Sequence, residues 1–231
     1  MVLSSLSITA IEILVGDNFY MSANLCYADV FRPLTKVRAA VYEVLLVVAG
    51  TFLIAACAQI SIGWPVPITG QTFAVLFIAA LYGANRGAAT MLAYIAEGLF
   101  GLPVFAGGKF GIATLLGPTG GYLAGFIFAA FVVGQLAERG FGRTFFKTIA
   151  AMTIGNCVIY AFGLFWLLLL VSAAKISFGY EKILSFGLYP FIPGDIIKIL
   201  VASALLPAGW KLKIFIVNKK DPVPQRYGGK L

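Results

Sequence analysis

The sequence predicts an all-α integral membrane protein with six transmembrane helices, and three observations support this fold class. Of the 231 residues, 61% are hydrophobic and 11% are charged, and the mean hydropathy is +0.96. A soluble domain instead carries charge on about a quarter of its residues. Six stretches approach the ~20 apolar residues that cross a bilayer. Basic residues are also unevenly divided between the segments that join these stretches.

The apolar stretches place the helices at about 42–61, 72–84, 87–101, 113–137, 146–172 and 190–210. We therefore expect a six-helix membrane domain over residues 41–211. An extension, 1–40, precedes it in the cytoplasm or on the membrane surface, and a basic cytoplasmic tail, 212–231, follows it. The extension lacks the basic start and the cleavage site of a signal peptide, and it is not counted as a seventh span. A surface-lying helix and a translation start at Met21 both fit it.

The positive charge is concentrated on one side of the predicted membrane domain. Thirteen lysines and arginines flank that side, whereas only Lys109, Lys175 and Lys182 flank the other. This is the positive-inside pattern, so both termini are expected in the cytoplasm. The net charge of +8 then needs no nucleic acid to explain it. The thirteen are Arg32, Lys36, Arg38, Arg86, Arg139, Arg143, Lys147, Lys211, Lys213, Lys219, Lys220, Arg226 and Lys230.

The cysteines do not indicate a metal or redox site. Cys26, Cys57 and Cys157 are scattered without CxxC spacing, and the chain has no histidine. A structural metal site usually combines closely spaced cysteines and histidines. The three cysteines are therefore interpreted as small apolar residues.

The remaining lysine lies inside the last predicted span, next to a carboxylate. Asp195 and Lys198 are three residues apart in FIPGDIIKILVAS. A charge at bilayer depth costs roughly 2.5 to 3.5 kcal/mol on insertion scales, so such residues usually mark a ligand or ion pathway. On one helix face they could together hold one small polar ligand. The alternative is that they only neutralise each other.

Other polar residues are predicted at the same, outer end of the helices. Gln71 follows a segment that Pro65 and Pro67 keep from being helical. Tyr94 and Glu97 lie near the end of the third helix, and the glycine-rich loop after it contains Phe105, Gly107, Gly108 and Lys109. The loop lacks the spacing of a phosphate-binding loop. We expect loops 61–71 and 101–112 to cap a pocket at this end.

Small and polar residues within the helices suggest packing roles. Gly117, Gly121 and Gly125 recur every fourth residue, which favours close helix packing. Ala49, Ala55 and Ala56 give the first helix a small-residue face that fits internal packing and partner docking equally well. Asn156 and Tyr160 lie within the fifth span, where an asparagine more often bridges helices than contacts a ligand.

Four segments carry a family resemblance: PVPITGQTFAVL, YIAEGLFGLPVFAGG, LLGPTGGYLAGF and FIPGDIIKILVAS. In this order, from about Ala49 to Lys211, they resemble the BioY family, the biotin-specific S components of energy-coupling factor (ECF) transporters. The resemblance implies a subunit in the lipid bilayer that captures biotin from outside. It implies an EcfT-like transmembrane coupling protein and cytoplasmic ABC ATPases as partners, and it implies no cofactor and no enzymatic chemistry.

The resemblance also implies roles for individual residues. Asp195 would accept a ureido N–H of biotin and Lys198 would donate to the ureido carbonyl, while Gln71 would add a hydrogen bond. Tyr94 and Phe105 would form apolar walls, and Lys109, in the loop with Gly107 and Gly108, would suit the valerate carboxylate. Glu97 would contact the ligand or hold the loop, and Ala49, Ala55 and Ala56 would face the coupling protein. The sequence departs from the family at Lys109, where a neutral polar residue is frequent, and at Phe110, where glycine is common.

Two other classes of function were weighed. A self-sufficient secondary transporter of biotin or a related vitamin commonly shows internal repeats, and the sequence contains no convincing repeat. A membrane enzyme would need a nucleophile, a metal cluster or an acid–base pair, and the chain has no histidine. Both are less well supported than a binding subunit.

Overall fold

A computed structural model describes residues 26–220, except 34, 64 and 177, with side chains up to residue 212. The predictions for residues 1–25 and 221–231 concern segments outside this part. The longer helices are α1 (Lys36–Gln59), α2 (Gln71–Tyr82), α3 (Ala84–Leu99), α5 (Gly120–Glu138), α6 (Phe145–Ser172) and α8 (Ile192–Lys220). The short helices are α4 (Ile112–Leu116) and α7 (Ile183–Gly187). Strands β1 (Ser61–Ile62) and β2 (Ile68–Thr69) pair antiparallel, with Ser61 opposite Thr69.

The helices are those of a multi-pass membrane protein. Four described helical stretches are long and apolar enough to cross a bilayer: Lys36–Gln59, Gly120–Glu138, Phe145–Ser172 and Tyr180–Leu212. Helix α2 is apolar but has only 12 residues, and α3 has 16. These two helices form a hairpin through Gly83, whose positive φ of 88° suits glycine.

The structure differs from the predicted helix bounds at three places. Helix α1 begins at Lys36 and α8 continues to Lys220, beyond the predicted limits of 42 and 210. Hydropathy marks the edge of the apolar region, whereas lysine and arginine are good helix formers and continue a helix past it. The predicted helix 113–137 is divided into α4 and α5, because Gly117 is extended before Pro118.

Helix α5 forms the centre of the bundle and packs against α2, α3 and α6. Its glycines allow this approach. A Cβ atom on Gly121 would lie 2.1 Å from Trp166 Cβ, and one on Gly134 would lie 2.3 Å from the backbone nitrogen of Ala84. The close packing predicted for the glycine stripe is therefore confirmed at Gly121. Helix α1, by contrast, is the least buried of the candidate spans.

Part of the predicted extension packs onto the bundle. A 3₁₀ turn at Tyr27–Phe31 contacts α2 at the end of the bundle where α1 and α3 begin. Asp29 accepts from the Cys26 backbone N–H at 2.9 Å and pairs with Arg86 at 2.5 Å. Burial, reinforced by the negative charges of Glu138 and Asp29, raises the pKa of the Cys26 thiol to about 12. Cys26 is thus a buried neutral thiol, as predicted for a small apolar residue.

Candidate ligand-binding site

A cavity of about 620 Å³, counted with its open mouth, lies among α2, α5, α6 and α8. Residues of the 61–71 loop and of the 101–112 loop are among those that line it. Small-molecule sites in proteins typically have mostly apolar walls. The walls here include the aromatic residues Phe105, Tyr122, Phe126, Tyr160 and Phe191. The polar lining consists of Thr69, Gln71, Thr72, Lys109, Thr114, Thr119 and Lys198.

Four side chains from three helices form one hydrogen-bonded group, which we call the polar quartet: Thr72, Tyr160, Asp195 and Lys198. The Lys198 ammonium donates to Asp195 Oδ1 at 3.0 Å and to Thr72 Oγ1 at 2.9 Å. Thr72 in turn donates to Asp195 Oδ1 at 3.2 Å, and the Tyr160 hydroxyl donates to Asp195 Oδ2. The quartet places an ion pair against an otherwise largely apolar cavity.

The local sequence explains why α8 presents these charges here. Pro193 falls in the first turn of α8, where its missing N–H costs no helical hydrogen bond. Asp195 follows in that turn, where the helix dipole favours a negative charge. Asp195 is 4% exposed and does not line the cavity, whereas Lys198 and Tyr160 do. The carboxylate therefore lies behind the ammonium and the hydroxyl that face the cavity.

Gln71 lines the cavity and is fixed by a chain of hydrogen bonds. Its Oε1 accepts from the Thr69 hydroxyl at 3.0 Å, and its Nε2 donates to the Tyr94 hydroxyl at 2.7 Å. The Tyr94 hydroxyl in turn donates a hydrogen bond to the carbonyl of Val104 at 2.7 Å. This chain joins α2, α3 and the loop after α3.

The structure differs from the expectation that Tyr94 forms a cavity wall. Tyr94 is fully buried and packs edge-on behind Phe105, with 5.6 Å between the ring centroids. Phe105 lines the cavity as expected. Tyr94 therefore supports the wall from behind. Its hydroxyl orients Gln71, because it accepts from Gln71 Nε2 and donates to the Val104 carbonyl of the loop.

The glycine-rich loop is a tight turn anchored on α3. The Phe105 N–H donates to the Lys109 carbonyl at 3.0 Å, and the Gly111 N–H donates to the Gly98 carbonyl at 2.7 Å. Gly107 and Gly108 have φ values of +67° and +72°, which glycine adopts without strain. These two glycines shape the turn and do not line the cavity, whereas the exposed Lys109 side chain does.

Glu97 lies outside the cavity lining and is only partly buried. In the described part of the chain its carboxylate has no hydrogen bond or ion pair. Of the three alanines expected to face a partner, Ala49 and Ala56 are exposed, while Ala55 is partly buried against the core.

Sequence reasoning missed several residues of the site. Thr72 follows Gln71 directly but carries no signal of its own, and the sequence predicts Tyr160 only as a polar residue within a span. For Tyr160 the available signal was helical spacing. Asn156 and Tyr160 are four residues apart, so the two side chains lie on one face of the helix. Tyr122 and Phe191, which also line the cavity, carry no signal that separates them from other aromatic residues of the bundle.

Together these features define a class: a multi-pass helical membrane protein built around a small-molecule cavity with an ion pair at one wall. The chain belongs to the BioY family, whose model matches residues 31–214. A biotin transporter BioY of Thermotoga maritima is 41% identical over 172 residues, which cover 73% of this chain and 97% of that protein. One from Rhizobium etli is 42% identical over 154 residues, covering 63% and 79% respectively.

A solved structure gives the same assignment at the level of the fold. The S-component for biotin from an ECF-type ABC transporter aligns with a TM-score of 0.64 and 28% identity. The alignment covers 78% of this chain and 95% of the solved one. The resemblance inferred from the four sequence segments is therefore confirmed.

Proposed function

We propose that this chain is the biotin-binding subunit of an ECF-type vitamin uptake transporter. It crosses the membrane six times with both termini in the cytoplasm, and its cavity opens to the outside. The observation that carries this proposal is the polar quartet, which places an ammonium and a carboxylate beside an aromatic cavity. The family membership and the names of the relatives support biotin as the ligand.

The chemistry of biotin suits the distribution of groups in the cavity. Its ureido ring offers two N–H donors and one carbonyl, and these match the Asp195 carboxylate and the Lys198 ammonium as charge-assisted hydrogen bonds. A ureido N–H would replace the Tyr160 hydroxyl at Asp195 Oδ2. The aromatic walls would enclose the thioether ring, and Gln71 would add a polar contact. The valerate chain would extend to Lys109 at the mouth.

Transport itself would depend on partners. The chain would deliver biotin inward together with an EcfT-like coupling protein and cytoplasmic ABC ATPases, and it would perform no enzymatic chemistry. The exposed Ala49 and Ala56 on α1 support a docking face, because small residues let two helices approach closely. Glu97, three residues after Tyr94 on α3, would stabilise the loop that follows this helix. Gly107 and Gly108 would shape that loop around the ligand.

The test is calorimetric titration of biotin into detergent-purified protein from cells grown without added biotin. We expect one-to-one binding in the wild type, and a large loss of affinity in both Asp195→Asn and Lys198→Met. A folded wild-type sample that releases no heat would contradict the assignment of biotin. Uptake by this chain alone that an uncoupler abolishes and that is indifferent to ATPases would instead favour a secondary transporter.

A further inference from the structure

A second, smaller cavity adjoins the first. It measures about 200 Å³ with the open space at its surface included, and residues of α2, α6 and α8 line it. Thr72 and Lys198 line both cavities, so these two side chains form the wall between them. Asn156 lines only the second cavity and lies one helical turn below Tyr160 on α6. The polar quartet thus has cavities on two sides.

The Lys198 ammonium has one hydrogen-bond donor to spare on this wall. An ammonium carries three N–H groups, and those of Lys198 donate to Thr72 and to Asp195. Among the described residues, no acceptor takes the third. A charged donor that is 19% exposed at bilayer depth is costly to leave unpaired.

Asn156 offers the complementary group. The residue is 7% exposed, and its Oδ1 is buried without a hydrogen-bond partner in the described part of the chain. The oxygen and nitrogen of a side-chain amide exchange places by a half-turn, so the carbonyl can face the cavity that Asn156 lines. Buried carbonyl oxygens are nearly always hydrogen-bonded, either to protein or to ordered water.

We propose that the second cavity binds a water molecule that accepts from Lys198 Nζ and donates to Asn156 Oδ1. Buried waters typically make two to four hydrogen bonds to polar groups that would otherwise be unsatisfied. Asn156 is then a positioning residue: through this water it sets the orientation of the ammonium, whose N–H to Thr72 would be redirected to the ureido carbonyl when biotin binds. The consequence for affinity rests on the proposed function, since it assumes that Lys198 contacts biotin; the water site itself does not.

The water site is tested by a crystal structure of the ligand-free protein at 2 Å resolution or better. We expect a density peak within about 3.2 Å of both Lys198 Nζ and the Asn156 side-chain oxygen. Absence of a peak in well-defined density would overturn the proposal, and so would an elongated peak from a lipid or detergent tail. This measurement decides the question whether or not the protein binds biotin.

The positioning role is tested by biotin titration of Asn156→Leu, which removes the amide at similar volume. Affinity should fall by about tenfold, the scale of one hydrogen bond to a charged group. In a Lys198→Met background the same substitution should change affinity no further. Equal losses in both backgrounds would indicate a packing role and overturn the proposal. If the wild type binds no biotin, the proposed function fails, and the crystallographic result still decides the water site.

Ser203→Ala is the matched control. Ser203 is also buried, and its hydroxyl also lacks a partner among the described residues, but it does not line the second cavity. We expect its affinity for biotin to equal that of the wild type. A loss equal to that of Asn156→Leu would show that any buried polar residue in this region affects binding, and would count against a specific role for Asn156.

Discussion

Each oxygen of the Asp195 carboxylate already has a donor from the protein. Oδ1 accepts from Lys198 and Thr72, and Oδ2 accepts from the Tyr160 hydroxyl. A buried carboxylate needs such partners, because an unpaired one would be strongly destabilising. Oδ2 retains an acceptor site, but Asp195 does not line the cavity whereas Tyr160 does, so a ligand N–H reaches Oδ2 only when the Tyr160 hydroxyl moves aside.

Tyr160→Phe should therefore strengthen biotin binding. The free protein would lose a hydrogen bond that the ligand otherwise has to break, and a bond to a charged group contributes about 1.5 to 3 kcal/mol, so affinity should rise by about tenfold or more. The variant should also unfold at lower temperature without ligand, because Asp195 Oδ2 loses its donor. Titration calorimetry and thermal unfolding in detergent measure the two effects. Weaker binding by Tyr160→Phe would show that the hydroxyl itself contacts biotin.

Lys109 allows a separate test at the mouth of the cavity. Its side chain is exposed and lines the mouth, so its attraction for a carboxylate is screened by salt. Lys109→Ala should weaken biotin binding by up to about fivefold, because an exposed ion pair contributes about 0 to 1 kcal/mol. An analogue with an amide in place of the carboxylate should bind wild type and variant alike. Lys182→Ala, which removes an exposed lysine that does not line the cavity, is the control. Equal losses for biotin and the amide would remove Lys109 from the carboxylate contact.

At the level of elements, the loop after α3 depends on one glycine in that helix. A Cβ atom on Gly98 would lie 2.1 Å from Cζ of the Phe105 ring, so the ring packs directly on the helix backbone. Phe105 is 1% exposed. Its backbone N–H donates to the Lys109 carbonyl, which closes the turn. The position of the cavity wall and that of Lys109 are thus set by the same contact.

Gly98→Ala should displace the Phe105 ring and destabilise the protein by about 1 to 3 kcal/mol, the usual cost of overpacking. Biotin affinity should fall as well, because the wall and Lys109 move together. Gly98→Ala combined with Phe105→Leu should regain part of the stability, since the smaller side chain makes room. Gly142→Ala is the control, since a Cβ atom there would meet nothing within 4 Å. Unchanged stability in Gly98→Ala would show that the loop is not anchored by this contact.

Elements were predictable from sequence where a single physical property determines them. Apolar length located the six longer helices, and the spacing of Gly121 and Gly125 predicted how α5 packs. The division at Pro118 was missed because the surrounding residues are as apolar as a continuous span. Asp195 and Lys198 could be selected because charge is rare in a membrane. Thr72 and Tyr160 could not, because their roles depend on the helix packing that brings three helices to one carboxylate.

In the molecule as a whole, the ion pairs of the described residues lie at two separate levels. The polar quartet lies near the start of α2 and of α8. Arg86 lies near the start of α3, after the Gly83 turn that ends α2, where it pairs with Asp29 and Glu43. Helix α2 has 12 residues, so the two groups are separated by roughly 18 Å along it, at 1.5 Å per residue. Stability and ligand binding can therefore be perturbed independently.

Arg86→Met should destabilise the fold without affecting the cavity. Arg86 joins the Tyr27–Phe31 turn, α1 and α3 through ion pairs of 2.5 and 2.6 Å, and its side chain is 19% exposed. Breaking a fully buried pair costs about 3 to 5 kcal/mol and an exposed one about 0 to 1, so a loss of roughly 2 kcal/mol is expected. Thermal unfolding in detergent should detect it, with biotin affinity at temperatures below unfolding equal to that of the wild type. Arg38→Met is the control, because Arg38 is exposed and makes no ion pair in the described part of the chain. Loss of affinity in folded Arg86→Met would show instead that the two levels are coupled through the helices.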